Sequence, residues 1–117
     1  MGDLEKIFKA YDIRGRTDTG DLDEDAARRI GAAFAQFVGA KRLAVGYDCR
    51  LSTPAISGAF MAGAASQGVD VLDLGEVATD TVYYISGSLN VPGAMITASH
   101  NPPEWNGIKL CREGAAP

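Results

Sequence analysis

A hydroxyl, an imidazole and an ammonium stand close together in this chain, on Ser99, His100 and Lys109. Ser99 lies in Thr97-Ala98-Ser99-His100-Asn101-Pro102, after the apolar run Gly93-Ala94-Met95-Ile96 and before Pro103. The proline pair stops any helix, so the serine is expected at a strand end where the chain must turn. Lys109 comes ten residues later, closing Asn106-Gly107-Ile108-Lys109. A strand-loop-strand corner would bring the three groups together. A hydrolase would need a base and an orienting acid beside its serine. Here there is one histidine in the whole chain and no G-x-S-x-G elbow around Ser99, so an acyl-transfer reading has little to stand on. A polar turn with a structural histidine is the bland alternative.

Strand and helix signals alternate around this corner. Asp21 and Asp23 offer caps for a helix over about residues 23–38, with Glu24 and Asp25 in its first turn. Ile30, Phe34, Phe37 and Val38 give it one apolar stripe, and Gly39 suits its end. Leu43 to Tyr47 reads as a buried strand. Ser52 or Thr53 is expected to cap the next helix, with Pro54 near its first position, Ile56, Ala59, Phe60 and Gly63 inward, and Gly68 at its stop. Val69 to Leu74 reads as a strand ending at Gly75. Thr79-Asp80 is expected to cap a third helix running to about Leu89. Ala94 to Thr97 and Ile108 to Cys111 complete the strands, and Tyr11 to Gly15 is expected as a loop. This alternation implies βα units: an α/β fold, a three-layer α/β/α domain on a mostly parallel mixed sheet.

A chain of 117 residues has room for one domain and one core. A net charge of −4, with Arg28-Arg29 and Lys41-Arg42 as the adjacent basic pairs, argues against a nucleic-acid surface and for solvated surface at both pairs. No run of about eighteen apolar residues exists to span a membrane, and Met1 to Lys6 lacks the pattern of a signal peptide. Cys49 and Cys111 have no C-x-x-C or His partner, so buried or half-buried thiols in a reducing compartment, the cytoplasm, are expected. Asp21, Asp23, Glu24 and Asp25 start a helix and do not fit a calcium loop.

The hexapeptide and Asn106 to Lys109 resemble the active-site loop of the α-D-phosphohexomutases, the phosphomannomutase and phosphoglucomutase family. Its motif is T/S-A-S-H-N-P followed by a glycine and a lysine. Phe8-Lys9-Ala10-Tyr11-Asp12-Ile13-Arg14-Gly15 is similar to the family's opening F-x-x-Y-D-I-R-G, and Val45-Gly46-Tyr47-Asp48-Cys49-Arg50 to its V-G-x-D-x-R. Three motifs therefore occur in family order across most of the chain. Residues 1–117 would be a single domain, most of the phosphoserine-bearing first domain of a four-domain enzyme. The metal-binding D-G-D-x-D motif and the sugar-reading and phosphate-clamping loops of the other domains are absent from it.

The resemblance implies that Ser99 is carried as phosphoserine, gives its phosphoryl group to one sugar oxygen and takes one back from another. Mannose or glucose 1-phosphate and 6-phosphate would interconvert through a hexose 1,6-bisphosphate, the intermediate and activator. A phosphoserine brings about −1.5 to −2 charges near neutral pH, so the basic groups acquire a task. Ser99, His100, Lys109 and Arg14 are the catalytic candidates, and Tyr11, Arg14 and Lys109 the substrate-binding ones. A surface salt bridge for Arg14 and core packing for Tyr11 stay open. Asp48 and Arg50, at a strand's carboxyl end, are read as structural support for the serine loop, Asn101 and Asn106 as fixing turns through side-chain to backbone bonds, and Trp105 as a packing or interdomain residue and not a sugar-stacking platform. Mg²⁺ is expected in the complete enzyme, with Ser99 contributing one ligand through its phosphate and three aspartates lying outside this chain. The partners implied are a phosphosugar and the enzyme's remaining domains, with no nucleic acid and no membrane. The chain by itself is expected to be inactive, with self-association through the exposed interdomain surface. A stand-alone phosphosugar- or phosphate-binding module without turnover is the other function class.

Overall fold

Asp23 starts the first helix as its position predicts, its carboxylate accepting from the Ala26 backbone N–H at 2.8 Å. The computed structural model describes residues 8–9, 12–17, 20, 22–49, 52–97 and 105–115. Over these the elements run β1 (Phe8–Lys9), β2 (Asp12–Arg16), α1 (Glu24–Val38), β3 (Arg42–Tyr47), α2 (Thr53–Ala65), β4 (Asp70–Glu76), α3 (Thr79–Leu89), β5 (Gly93–Ile96) and β6 (Trp105–Cys111), with a 3-10 turn at Glu113–Ala115. One sheet takes the order β1-β2-β6-β5-β3-β4. Its parallel part is β4, β3 and β5. Strands β6, β2 and β1 extend it by antiparallel pairing.

The expected α/β/α layering is observed. Leu43 and Val45 of β3, Ala94 and Ile96 of β5, and Ile108 and Leu110 of β6 share the core with Ile30 and Phe34 of α1 and Ile56 and Phe60 of α2. Strand alternation sends the intervening residues to the other face, where α3 lies. There Gly46 and Gly93 leave room for Val82, against which a Cβ on either would press. Helices α1 and α2 are packed more tightly still. A Cβ on Gly31 would meet the Phe60 carbonyl, and one on Gly63 the Arg28 carbonyl, so the two backbones cross in direct contact.

Several local expectations are corrected. Tyr11 to Gly15 was expected as a loop, but Asp12–Arg16 is a strand; Ile13 is its one aliphatic residue, and pairing with β6 supplies the order that the local sequence does not announce. Phe37 is 70% exposed and not part of the buried stripe, since α1 turns through Ala27, Ile30, Gly31, Phe34 and Ala35 toward the core; the Arg112 guanidinium lies 5.3 Å from its ring centre instead. Neither α2 nor α3 has the side-chain cap expected of it: no cap bond forms from Ser52, and Ala78 precedes α3. β4 runs on through Gly75, which takes φ +78° where the register with β3 slips past Leu74. Cys49 is exposed and not buried or half-buried as the sequence suggests, while Cys111 is buried; both are free. Arg28 and Arg29 are solvated as read, pairing loosely with Asp25.

Candidate active site

The parallel strands end on one edge of the sheet, and the described parts of the three motif segments lie on neighbouring strands leading to it. β3 runs out at Tyr47 into Asp48, whose N–H donates to the Ile96 carbonyl at the end of β5 (3.1 Å). Beyond β5, the Thr97 N–H donates to the Gly107 carbonyl of β6 (2.8 Å). The ends of the serine-bearing stretch, Thr97 and Trp105, are thus held on neighbouring strands, the place where open α/β sheets carry ligand sites. Ser99, His100 and Asn101 lie outside the described residues, as do Tyr11 and Arg50.

β6 carries Lys109. Ile108 is fully buried in the core and Leu110 nearly so, while Lys109 is half-buried. Alternation puts it on the opposite face, as the sequence required. In register it stands between Met95 of β5 and Asp12 of β2. Arg14 pairs with Gly107, two positions along β6 from Lys109. Two motif segments far apart in sequence thereby become adjacent strands. Sequence reasoning treated Arg14 as a loop residue; its place on a strand defines its register against Lys109.

On the α2 side of the same edge lies a polar cluster that spacing could not announce. Asn106 is fully buried, and its amide nitrogen donates to Ser52 Oγ at 2.9 Å and to Thr53 Oγ1 at 3.0 Å. The Thr53 hydroxyl, also fully buried, donates to Asp48 Oδ1 at 2.6 Å. The Asn106 carbonyl oxygen accepts from the Gly107 N–H at 2.8 Å, the side-chain to backbone bond expected of it, made within a strand and not a turn. Ser52 is therefore engaged across the sheet edge and does not cap its own helix. Asp48 supports this corner, in keeping with its structural reading.

At the end of β3, the Tyr47 phenol is held above its ordinary pKa. Its hydrogen bond to Asp73 is the main cause, followed by burial and by the Asp73 and Glu76 carboxylates. Among the described residues no group of three His, Cys, Asp or Glu could hold a metal ion. Nor, among them, is any helix long and apolar enough to cross a membrane.

A family model described as phosphoglucomutase/phosphomannomutase, alpha/beta/alpha domain I, matches residues 5–117. The chain belongs to the phosphoglucomutase/phosphomannomutase family. Its match is to domain I. A phosphomannomutase of Salmonella montevideo is 47% identical over 111 residues, 94% of this chain and 24% of that protein. A protein named phosphohexose mutases, from Xanthomonas campestris pv. campestris strain B100, is 47% identical over 94% of this chain and 25% of its own length. The chain thus spans about a quarter of the length of these two relatives. A crystal structure of a phosphoglucomutase/phosphomannomutase family protein from Burkholderia thailandensis superposes with a TM-score of 0.87 at 39% identity, over 94% of this chain and 26% of that one.

Proposed function

We propose that this chain is the domain of a hexose-phosphate mutase that carries the reacting serine, Ser99, as phosphoserine. The observation that supports the reading is that the described parts of the three family motifs, residues 12–15, 45–48, and 97 with 106–109, lie on or at the ends of neighbouring strands of one sheet. β6 brings Lys109, and beside it β2 brings Arg14, to the strand that receives the serine stretch.

In the forward half of the reaction, a hydroxyl of the bound hexose phosphate attacks phosphorus. The bond from phosphorus to Ser99 Oγ breaks, Oγ takes up a proton as the attacking hydroxyl loses one, and hexose 1,6-bisphosphate forms. In the return half, Ser99 Oγ attacks the other phosphate of the reoriented bisphosphate. That releases the isomeric monophosphate and restores phosphoserine. Ser99 gives up one phosphoryl group and takes back the other, so the net change, formally an intramolecular phosphotransfer, is a shift of phosphate between two oxygens of one sugar. The assigned roles are electrostatic and positional, the contributions on which phosphoryl transfer most depends. Lys109 sets an ammonium toward the phosphoryl oxygens, Arg14 forks onto phosphate oxygens of enzyme or sugar, His100 donates from imidazole, and Tyr11 contacts the sugar phosphate.

Mg²⁺ would neutralise charge on the transferring group, held by one oxygen of the Ser99 phosphate. On the family resemblance, three aspartates outside this chain would complete its coordination; among the described residues there is no metal-binding group of three. The enzyme's remaining domains and the phosphosugar are the partners the reading requires, in a reducing cytoplasm that suits two free thiols. The chain by itself is then inactive, with a surface that favours self-association.

The test is intact-mass analysis of the full-length enzyme before and after hexose 1,6-bisphosphate, run with an assay of mannose and glucose phosphates. Gain of one phosphoryl mass, with interconversion, is expected. A protein that binds phosphosugars but neither gains phosphate nor turns them over is the stand-alone binding module instead.

A further inference from the structure

The buried cluster at Asn106 joins the borders of both chain segments that flank the sheet edge. Asp48 precedes residues 50–51 and Ser52 follows them; Thr97 precedes residues 98–104, and Asn106 comes just after. The direction of its hydrogen bonds is determined by chemistry. The Thr53 hydroxyl has one proton, committed to Asp48 Oδ1 at 2.6 Å, so toward Asn106 it can only accept. That requires the amide nitrogen of Asn106 to face Thr53 and Ser52, and its oxygen to face the Gly107 N–H. Amide, hydroxyl and carboxylate form one polarised line from β6 through the start of α2 to the end of β3. A buried asparagine in such a line is costly to leave unsatisfied and rigid when satisfied.

We infer that Asn106, acting through Thr53 and Asp48, is a positioning residue that fixes where the serine stretch re-enters the sheet. It touches no reacting atom in this account. It fixes the start of β6 and, three residues on along that strand, the placement of Lys109. The inference rests on the mutase reading, because the consequence it names is for phosphoryl transfer. Misplacement of a reacting group by an ångström is enough to cost about a hundredfold in rate.

The test compares Thr53→Val, which keeps shape and removes the hydroxyl, with Thr53→Ser, which keeps the hydroxyl, and with Asn106→Ala, all in the full-length enzyme. Two readouts are taken: kcat and KM for hexose phosphate, and amide hydrogen exchange of the peptide over residues 98–105. Thr53→Val and Asn106→Ala are expected to lower kcat at least about tenfold, leave KM within about twofold and speed exchange across that peptide. Thr53→Ser should stay near wild type in both. Should Asn106→Ala not fold, the two Thr53 variants decide. Normal kcat and unchanged exchange in Thr53→Val would overturn the inference, as would a Thr53→Ser variant no better than Thr53→Val. A wild-type enzyme with no phosphate on Ser99 would refute the mutase reading, and the exchange comparison would still decide the anchoring of residues 98–104.

Discussion

Lys109 of β6 stands opposite Met95 of β5 in an antiparallel register, on the sheet face away from Ile108 and Leu110. Its neighbours in the strand fill the core, so the charge is presented beside an apolar side chain and is not needed for packing. In the full-length enzyme, Lys109→Met retains most of the stem volume and removes the cation. It is expected to lower kcat roughly a hundredfold or more, the scale of losing one transition-state donor, with little change in Tm. Lys109→Arg should recover part of the activity, because charge and not proton transfer is the main contribution. A Met variant with near-normal kcat and a sharply lowered Tm would make Lys109 structural.

Gly31 and Gly63 hold the crossing of α1 and α2. A methyl group at either would press into backbone of the facing helix, which cannot swing away as a side-chain tip would. Gly31→Ala and Gly63→Ala are each expected to destabilise the fold by about 1–3 kcal/mol or more, as overpacking does. Gly58 in α2 faces open space, so Gly58→Ala should stabilise by roughly 0.5–1 kcal/mol through helix propensity. Urea denaturation of the three variants checks the contrast, and equal effects at all three positions would contradict the packing.

Much of the scaffold was legible because it repeats simple rules. Asp23 caps α1, Gly39 ends it in a left-handed turn, and the unbroken apolar run of β3 marks a strand covered on both faces. What escaped depends on partners distant in sequence. β2 owes its order to β6. Ser52 has the right chemistry for a cap, but its hydroxyl is taken by Asn106, 54 residues away. Phe37 continues the apolar period of α1 but stands one turn past the buried Phe34, at the helix end. At the site, the motifs offer Ser99, Lys109 and Arg14 as candidates but give no sign of the line from Asn106 through Thr53 to Asp48, since hydrogen bonds across such separations leave no periodic trace.

Tyr47 gives a pH signature for the end of β3. Its folded pKa is raised, first by the hydrogen bond to Asp73, so the neutral phenol is the form the fold favours. The stability it contributes is therefore complete below the unfolded value, about 10, and is lost as pH rises through the folded value. In an absorbance titration of phenolate, a Tyr47 component is expected to ionise above the ordinary tyrosine value. Tyr47→Phe should remove that late component and Asp73→Asn should move it down. A late component that persists in Tyr47→Phe would assign it elsewhere.

The isolated 117-residue chain is expected to show no mutase turnover. Phosphoryl transfer needs aligned charge on several sides of the group, and losing the remaining domains should cost many orders of magnitude in rate. Measurable interconversion of mannose or glucose phosphates by the pure chain would refute this.

Whether Ser99 carries the phosphoryl group is decided by peptide mapping of the full-length enzyme after incubation with hexose 1,6-bisphosphate. The added phosphate is expected on the peptide containing Ser99 and is expected to be lost in Ser99→Ala. Phosphate found solely on Ser52, Thr53 or Ser57 would contradict it.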